Sequence, residues 1–262
     1  MPTTYAHYIF GQEVLKLLDK DLKKSINKNI DLYNIGLHGP DILFYYSPLK
    51  SNEISKIGHG LHRQTAYSFF ENARKVIVSC PDYDAACAYI LGFICHFMLD
   101  TKCHPFIRQK ESNSLCHGTI ETEFDRLFMI KNNLNPVSFK PTSHIVSNKE
   151  NADVIAWFFD GVSKEDILNA LKSMKFYLNL LVAPGYFKRF LIKSGLKLSG
   201  NYDSMIGLVM NYEPLEECKE INEKLYEFFL EGVSPAANIV MEYCKNIKSS
   251  EKLNVRFNRN FE

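Results

Sequence analysis

The amino-acid sequence predicts an all-α protein folded as a single multi-helix domain over residues 1–262. Apolar residues recur at helical intervals from residue 4 to about residue 250, and no stretch alternates between apolar and polar residues as a half-buried strand would. Glycine is scarce, at 13 of 262 residues. With 46% hydrophobic and 23% charged residues, the chain has the composition of a globular protein and is long enough to bury a large core.

Three segments make up the predicted structure before residue 80. Residues 4–27 form an amphipathic helix with one apolar side. Residues 30–50 contain glycine and proline at several positions, so they form a loop with a short helical turn. Residues 62–78 return to helical spacing.

The middle of the chain predicts two helices that carry most of the candidate site residues. Residues from about 83 to 103 are largely apolar, and Asp82 or Asp84 is suited to cap the N-terminus of this helix. Pro105 is expected to end it. A second helix covers about residues 115–131.

The last part of the chain predicts a loop followed by two helices. Asn, Pro, Ser and Lys dominate residues 132–150, as in a surface loop. Ser163 and Asp166 form a capping box that opens a helix ending at about residue 182. A final long helix occupies residues 214–248 and is weakened where a glycine and a proline interrupt it.

Charge is evenly balanced between the two halves of the chain. There are 31 Lys and Arg against 30 Asp and Glu; residues 1–130 hold 14 of each sign, and residues 131–262 hold 17 basic and 16 acidic. Because neither half is a basic arm, electrostatic binding to nucleic acid or to an anionic membrane is not indicated. No run of 18 apolar residues occurs, so no transmembrane segment is predicted.

Cysteine usage and the N-terminus predict a cytoplasmic location. The N-terminus lacks the basic and apolar regions of a secretory signal. The seven cysteines are odd in number and contain no C-x-x-C pair, which favours reduced thiols. Cys87 and Cys95 fall at apolar helical positions and are expected to be small core residues.

His96, Asp100 and His104 are spaced four residues apart on the long apolar helix. Each step of four advances about 40° around a helix, so the three side chains form one stripe. A buried carboxylate between two imidazoles is costly unless it is neutralised, and a divalent metal such as zinc neutralises it directly. The alternative is a hydrogen-bonded His–Asp pair that only fastens the helix.

The next helix repeats this pattern with His117, Glu121 and Asp125. H-x-x-x-E alone is a weak signal, but a second stripe beginning 13 residues after His104 favours a metal cluster. Asp125 is either a ligand or, as we expect, a residue that orients a liganding histidine. Glu123 points to another face and is expected to be solvated.

Other candidate residues lie outside these two stripes. His7, on the first helix, is either a ligand or an ordinary packed histidine. Asp41 follows a glycine–proline turn and is either a helix N-cap or a functional acid. His59 and His62 are three residues apart, and either could face a metal. His144 lies in the polar loop and is expected to be exposed.

Six short motifs occur in order: Met1-Pro2, HYIFG from His7, GPD at Gly39–Asp41, G-x-x-x-H at Gly58–His62, G-x-x-x-H-x-x-x-D-x-x-x-H-P from Gly92, and H-x-x-x-E from His117. Their order and rough spacing are specific, whereas each motif alone is common. With them, the chain from Met1 to about Phe128 resembles the zinc-dependent phospholipase C family, in particular its intracellular bacterial branch. The single-strand-specific zinc nucleases share that fold.

Members of the family are all-α and hold three zinc ions in a cleft. The resemblance implies three ligand sets here: Asp41, His62, His96 and Asp100 for one zinc; His104, His117 and Glu121 for a second; His7 and Asp100 for a third, weaker site. Asp100 would then bridge two metals.

Two features depart from the secreted members of the family. In those members the mature N-terminal Trp donates its amine and carbonyl to the third zinc, whereas this chain begins Met1-Pro2. The third site is therefore either altered or absent, and the expectation is two or three zinc ions per chain. The interval from Asp41 to His62 is also longer, which keeps His59 as a substitute for His62.

The resemblance and the metal chemistry predict a zinc-dependent phosphodiesterase of the phospholipase C type. Metal-activated water would attack the phosphodiester, with Asp41 orienting or deprotonating that water. We expect a small-molecule or lipid phosphodiester as substrate and no nucleic acid; the oligomeric state is left open. The alternatives are a zinc nuclease-like hydrolase and a non-catalytic, metal-stabilised binding protein.

Overall fold

The computed structural model describes residues 4–112 and 115–262, with only the backbone of Ser204. In these ranges every regular element is a helix, which confirms the all-α prediction. The α-helices, in chain order, are α1 (Thr4–Leu17), α2 (Lys20–Lys28), α3 (Ile30–Gly36), α4 (Glu53–Arg63), α5 (Ala66–Ser79), α6 (Tyr83–Lys110), α7 (His117–Lys131), α8 (Lys149–Ala156), α9 (Lys164–Leu181), α10 (Tyr186–Leu198), α11 (Tyr202–Met205) and α12 (Lys219–Asn246). Short 3-10 helices lie at Gly39–Tyr45, Ile206–Leu208, Glu216–Cys218 and Val255–Asn258.

Helix α6 forms the centre of the fold, and α1, α2, α3, α5, α8 and α12 pack around it. It is apolar on nearly every face, and 19 of its 28 residues are buried. By length and composition α6 could also cross a membrane, but 89% of its most apolar 18-residue stretch is buried among the other helices. The polar stripe of the predicted metal site is therefore held in the interior.

The start of α6 agrees with the prediction, and its end does not. Asp82, one of the two proposed caps, accepts a backbone hydrogen bond at 3.0 Å. The prediction that Pro105 ends the helix is wrong, because the helix continues to Lys110. Pro105 has no N–H to donate to the carbonyl of Thr101. Ile107 beyond it is nevertheless buried, and this packing offsets the lost hydrogen bond.

One capping side chain divides a predicted helix, and another starts a helix that was not predicted. Asp19 accepts a backbone hydrogen bond at 2.8 Å and starts α2, so the predicted helix 4–27 is two helices. Asn52 and Ser55 form a capping box that starts α4 ahead of the predicted helix 62–78. Helix α3 and the 3-10 helix after it occupy much of the segment expected to be loop.

The second half of the chain keeps the predicted capping box of Ser163 and Asp166 at the start of α9. The loop between α7 and α8 is also present, but α8 and α10 were not predicted. The predicted final helix is present as α12 and runs without a break through Gly232 and Pro235. Gly232 packs against α1 so closely that a Cβ there would lie 3.3 Å from the ring of Phe10, and this contact supports the helix.

Candidate metal centre

Five elements meet at one pocket: α1, the 3-10 helix after α3, α4, α6 and α7. They bring together all of the residues that the sequence nominates as zinc ligands. These residues are His7, Asp41, His62, His96, Asp100, His104, His117 and Glu121. All but His96 line the pocket, and His96 is buried among them.

Asp100 lies between three imidazoles and is only 3% exposed. Its Oδ1 is 3.1 Å from Nε2 of His7 and 3.5 Å from Nε2 of His104. Its Oδ2 is 3.0 Å from Nε2 of His96. The spacing of four along α6 accounts for two of these contacts, and the packing of α1 on α6 supplies the third. The two carboxylate oxygens therefore face different imidazoles and can serve two cations.

The turn after α3 brings Asp41 to the same cluster. Gly39 in this turn has a φ of 49°, and a Cβ there would overlap Cδ2 of the His96 ring, so the position requires glycine. Oδ1 of Asp41 lies 3.1 Å from Nε2 of His62. His38, not Asp41, is the N-cap residue of the 3-10 helix, so the alternative in which Asp41 serves as a cap does not hold.

His104, His117 and Glu121 form the other end of the cluster, between α6 and α7. Oε1 of Glu121 is 3.5 Å from Nε2 of His104 and 3.2 Å from Nε2 of His117. Glu121 is 1% exposed, whereas 29% of the His117 side chain is exposed. This end of the cluster therefore reaches the solvent-facing part of the pocket.

Orphaned polar atoms show that these residues fit a metal. Nε2 of His96 and Oδ2 of Asp100 are buried and close together, yet neither makes a hydrogen bond. Oδ1 of Asp41 is also buried without a hydrogen bond. Two ligands on a tetrahedral zinc are about 3.3 Å apart when each bond is about 2.0 Å. Separations of 3.0 to 3.5 Å between nitrogen and carboxylate oxygen match that spacing.

Hydrogen bonds on the far side of three imidazoles fix the orientation of the rings. Nδ1 of His62 donates to the carbonyl of Gly58 at 2.9 Å, and Nδ1 of His104 donates to the carbonyl of Phe261 at 2.7 Å. Nδ1 of His117 lies 2.7 Å from Oε1 of Glu111. Such partners leave Nε2 for the metal, as in many zinc sites.

Burial and charge set the protonation of the cluster. Burial alone would raise the pKa of Asp100, but His104, His96 and His7 hold it well below its usual range. Burial also opposes ionisation of Glu121, yet His117 and His104 help to lower the pKa of Glu121 far below the ordinary value. Burial would lower the pKa of His104, but the two carboxylates raise it to about 9. The carboxylates are thus ionised at neutral pH and available to cations.

The structure distinguishes His62 from His59. His62 lies in the cluster with Asp41, whereas His59 is exposed at the rim of the pocket and packs at a tilt against Phe44, with 4.3 Å between ring centroids. The turn of α4 separates the two side chains, because residues three apart lie 60° from each other around a helix.

The prediction that His144 is exposed is wrong. Its Nε2 is 2.8 Å from Nε2 of His38, and its ring stacks on Tyr8 with 4.2 Å between centroids. The loop between α7 and α8 therefore folds back over α1 and the start of the GPD turn. His144 belongs to none of the three metal-ligand groups, and nothing in its neighbouring sequence indicates its long-range partner.

Two acids on α7 also differ from prediction. Asp125 orients no histidine; it accepts hydrogen bonds from the backbone N–H groups of Tyr5 and Ala6, at 3.1 and 2.7 Å, and so holds the first turn of α1. Glu123 is not solvated. It is 1% exposed, pairs with Arg126 at 3.0 Å and accepts a hydrogen bond from the backbone of Leu215, because the segment before α12 covers this face.

Comparison with known families agrees with this geometry. A family model described as zinc-dependent phospholipase C matches residues 6–176. The match includes every nominated ligand and extends beyond Phe128 into α9. No curated protein and no solved structure matches the chain. Met1 and Pro2, on which the expectation for the third zinc site depends, lie outside the described residues.

Proposed function

The chain belongs to the zinc-dependent phospholipase C family, and from that premise we propose that it is a phosphodiesterase that hydrolyses a phosphodiester with zinc-activated water. One observation carries the proposal above all: the Asp100 carboxylate lies between three imidazoles from two helices, with its Oδ2 free of hydrogen bonds. We propose at least two zinc ions, one at Asp41, His62, His96 and Asp100 and one at His104, His117 and Glu121, with His7 available for a third.

When bound at such a centre, zinc supplies Lewis acidity to phosphate oxygens and lowers the pKa of its water to about 7. The residues of the chain have complementary tasks. Asp100 and Glu121 provide the negative charge that compensates clustered dications. Asp41 is ionised, because His62 and His96 lower its pKa against the effect of burial. At the pocket wall it is placed to orient the attacking water and accept its proton.

The remaining pocket lining supports a phosphodiester substrate. Arg63 and Arg108 line the pocket and provide cationic side chains suited to an anionic phosphate; Arg108 is also paired with Glu262 of the lining at 3.0 Å. Phe44 adds an apolar wall next to them. His117 is partly exposed, which supports a site open to substrate and argues against a closed structural metal site.

We propose a small-molecule or lipid phosphodiester as the substrate and a reducing, cytoplasmic location. All seven cysteines are free thiols, and Cys87 and Cys95 are buried in the core as expected. These thiols support the location, since oxidising compartments favour disulfides.

The experiment is elemental analysis of the purified chain combined with hydrolysis of bis(p-nitrophenyl) phosphate. We expect two or three zinc ions per chain and hydrolysis that disappears with a chelator and returns with zinc. Phosphatidylcholine and glycerophosphocholine then distinguish a lipid from a small-molecule substrate. Stoichiometric zinc without hydrolysis of any of these phosphodiesters would favour the metal-stabilised binding protein.

The matched variant pair for this assay is Asp100→Asn and Asp153→Asn. Asp153 lies on α8 with 52% of its side chain exposed, and it belongs to none of the metal-ligand groups. We expect Asp153→Asn to keep the zinc content and rate of the wild type. Equal effects of the two substitutions would contradict the assignment of the site.

A further inference from the structure

Helix α10 presents large apolar side chains to solvent. We call Tyr186, Phe187, Phe190, Leu191 and Leu198 the α10 face; they are 52 to 90% exposed. At 100° per residue the five side chains fall within about 140° of the helix circumference. Tyr186, Phe187, Phe190 and Leu191 form one apolar patch over the first two turns, and Leu198 continues the same side beyond Ser194. The patch is larger than the scattered apolar residues normal for a protein surface.

The opposite side of α10 holds the helix firmly on the protein. Arg189 is buried and donates to the carbonyls of Ala183 and Met210. Lys188 donates to the carbonyl of Val182 at 2.6 Å, next to the C-terminus of α9. The α10 face is thus the outer side of an anchored helix, and turning it inward would break these hydrogen bonds.

The chain segment that contains α10 is one-sided in charge. Residues 167–202 contain six basic and no acidic residues, whereas the rest of the chain contains 25 basic and 30 acidic residues. The balance between the two halves of the chain concealed this local excess. Lys193 and Lys197 are both exposed. Lys193 lies just outside the Tyr186 edge of the α10 face and Lys197 just inside it, where Nζ of Lys197 is 5.1 Å from the ring centroid of Tyr202.

We propose that the α10 face docks on an anionic lipid surface. An anchored helix with aromatic and aliphatic residues on its outer side and lysines at its edge has the form of interfacial membrane helices. Aromatic rings partition well at the lipid headgroup level, and lysines attract anionic headgroups. The proposal concerns binding and does not depend on the proposed reaction.

Two other occupants fit the α10 face less well. A second copy whose α10 packed antiparallel on this one, under two-fold symmetry, would bring the same positive edge, Lys193 and Lys197, close to itself. A single-stranded nucleic acid would require free cations along the aromatic rings to bind phosphates. Of the four cations on α10, Arg189 and Lys188 anchor the helix, which leaves only Lys193 and Lys197 and no row of cations that follows successive phosphates.

The docked helix would connect to the metal pocket through a short segment. The 3-10 helix Ile206–Leu208 packs on the first turn of α7, where a Cβ on Gly207 would lie 2.9 Å from Sγ of Cys116. His117 is the next residue along the chain. The segment after α10 thus links the lipid-docked helix to α7, which carries a zinc ligand.

The test is co-sedimentation of the zinc-loaded full chain with vesicles of phosphatidylcholine, with and without one quarter phosphatidylglycerol. Lipid phosphorus is assayed afterwards, so that a failure of hydrolysis and a failure of binding remain separate results. We expect binding to the anionic vesicles and a reduction of about tenfold or more in the Phe187→Ser/Phe190→Ser variant. Lys193→Glu/Lys197→Glu should weaken binding about tenfold, chiefly to the anionic vesicles.

The control is Val78→Ser on α5, where Val78 is 53% exposed outside the α10 face. It should bind like the wild type, and circular dichroism should show that all variants are folded. The proposal is overturned if the wild type does not bind anionic vesicles, or if the phenylalanine variant binds equally well. A dimer dissociated by that variant, or an oligonucleotide complex lost in the lysine variant, would assign the face to another occupant.

Discussion

Gly36 of α3 and Gly92 of α6 face each other where the two helices cross, and a Cβ added to either would lie 3.1 Å from the Cα of the other. The two backbones are therefore in direct contact. The crossing fixes the turn after α3, which carries Asp41, relative to His96, one turn beyond Gly92 on α6. The geometry of the metal cluster thus depends on two residues that have no side chain.

We expect Gly92→Ala to lower the free energy of unfolding by about 3 kcal/mol. The new Cβ would overlap the carbonyl oxygen of Tyr33, which is backbone and cannot rotate away. Urea denaturation measures the effect. The control is Gly60→Ala in α4, where no atom lies within 4 Å of the new Cβ. That substitution should stabilise the protein by about 0.5 to 1 kcal/mol through helix propensity, and equal stabilities of the two variants would refute the close crossing.

His117→Ala should lose one zinc ion while the chain remains folded. His117 and Glu121 belong to the metal group at the solvent-facing end of the cluster, and the other ligands of the buried end remain. Elemental analysis of the purified variant gives the stoichiometry, and circular dichroism tests the fold. His59→Ala is the control, because His59 is exposed at the rim of the same pocket. Zinc loss in the His59 variant, with wild-type zinc in the His117 variant, would reverse the assignment.

Asp100→Asn keeps the shape of the side chain but removes the charge that faces three imidazoles. Without this charge, repulsion between neighbouring dications should expel at least one zinc ion. We expect phosphodiesterase activity to fall by orders of magnitude and thermal stability to fall with the metal content. Zinc content, the hydrolysis rate and the melting temperature are measured together, and full retention of zinc and activity would show that Asp100 is not the central ligand.

Asp125→Asn should have a different profile from Asp100→Asn. Each carboxylate oxygen of Asp125 accepts a hydrogen bond from a different backbone N–H group at the start of α1. An asparagine can accept only through its single carbonyl oxygen. We expect a loss of about 1 kcal/mol in stability and near-normal zinc content. Loss of zinc without loss of stability would mean that Asp125 acts directly on the metal cluster.

The parts of the site that were predictable are those set by local helix geometry. The stripe His96, Asp100 and His104 follows from a spacing of four on one helix, and no tertiary information is needed to place those side chains on one face. The same reasoning places His117 and Glu121 together. The apolar character of α6 likewise indicated that it would be buried in the core.

The parts that were not predictable depend on contacts between distant segments. Asp125 bonds to backbone groups 119 and 120 residues away, and His144 meets His38 from a distance of 106 residues. Glu123 is buried only because the segment before α12 covers it. Helix α10 has its apolar residues on the outer side, so its pattern could not be assigned to a core.

The contact between His38 and His144 should make stability depend on pH. Burial, and then the charge of Lys175, lower the pKa of His144 to about 3. Burial, the neighbouring His144, and the charges of His7 and His96 lower the pKa of His38 well below its usual range. In the unfolded chain both pKa values are near 6.5. The folded chain therefore binds fewer protons in acid, so the contribution is fully present above about pH 6.5 and is lost as the pH falls towards 3.

We expect His144→Gln to reduce the slope of unfolding free energy against pH by up to about 1.4 kcal/mol per pH unit below pH 6. Urea denaturation of variant and wild type at each pH measures the difference, and the common contribution of the metal ligands cancels. His59→Gln serves as the comparison: burial, His62 and Arg63 lower the pKa of His59 as well, but its side chain is exposed, so this variant should change the slope less than His144→Gln does. A His144→Gln curve parallel to the wild type would mean that His144 titrates normally and that the loop between α7 and α8 does not hold it neutral against His38 and Tyr8.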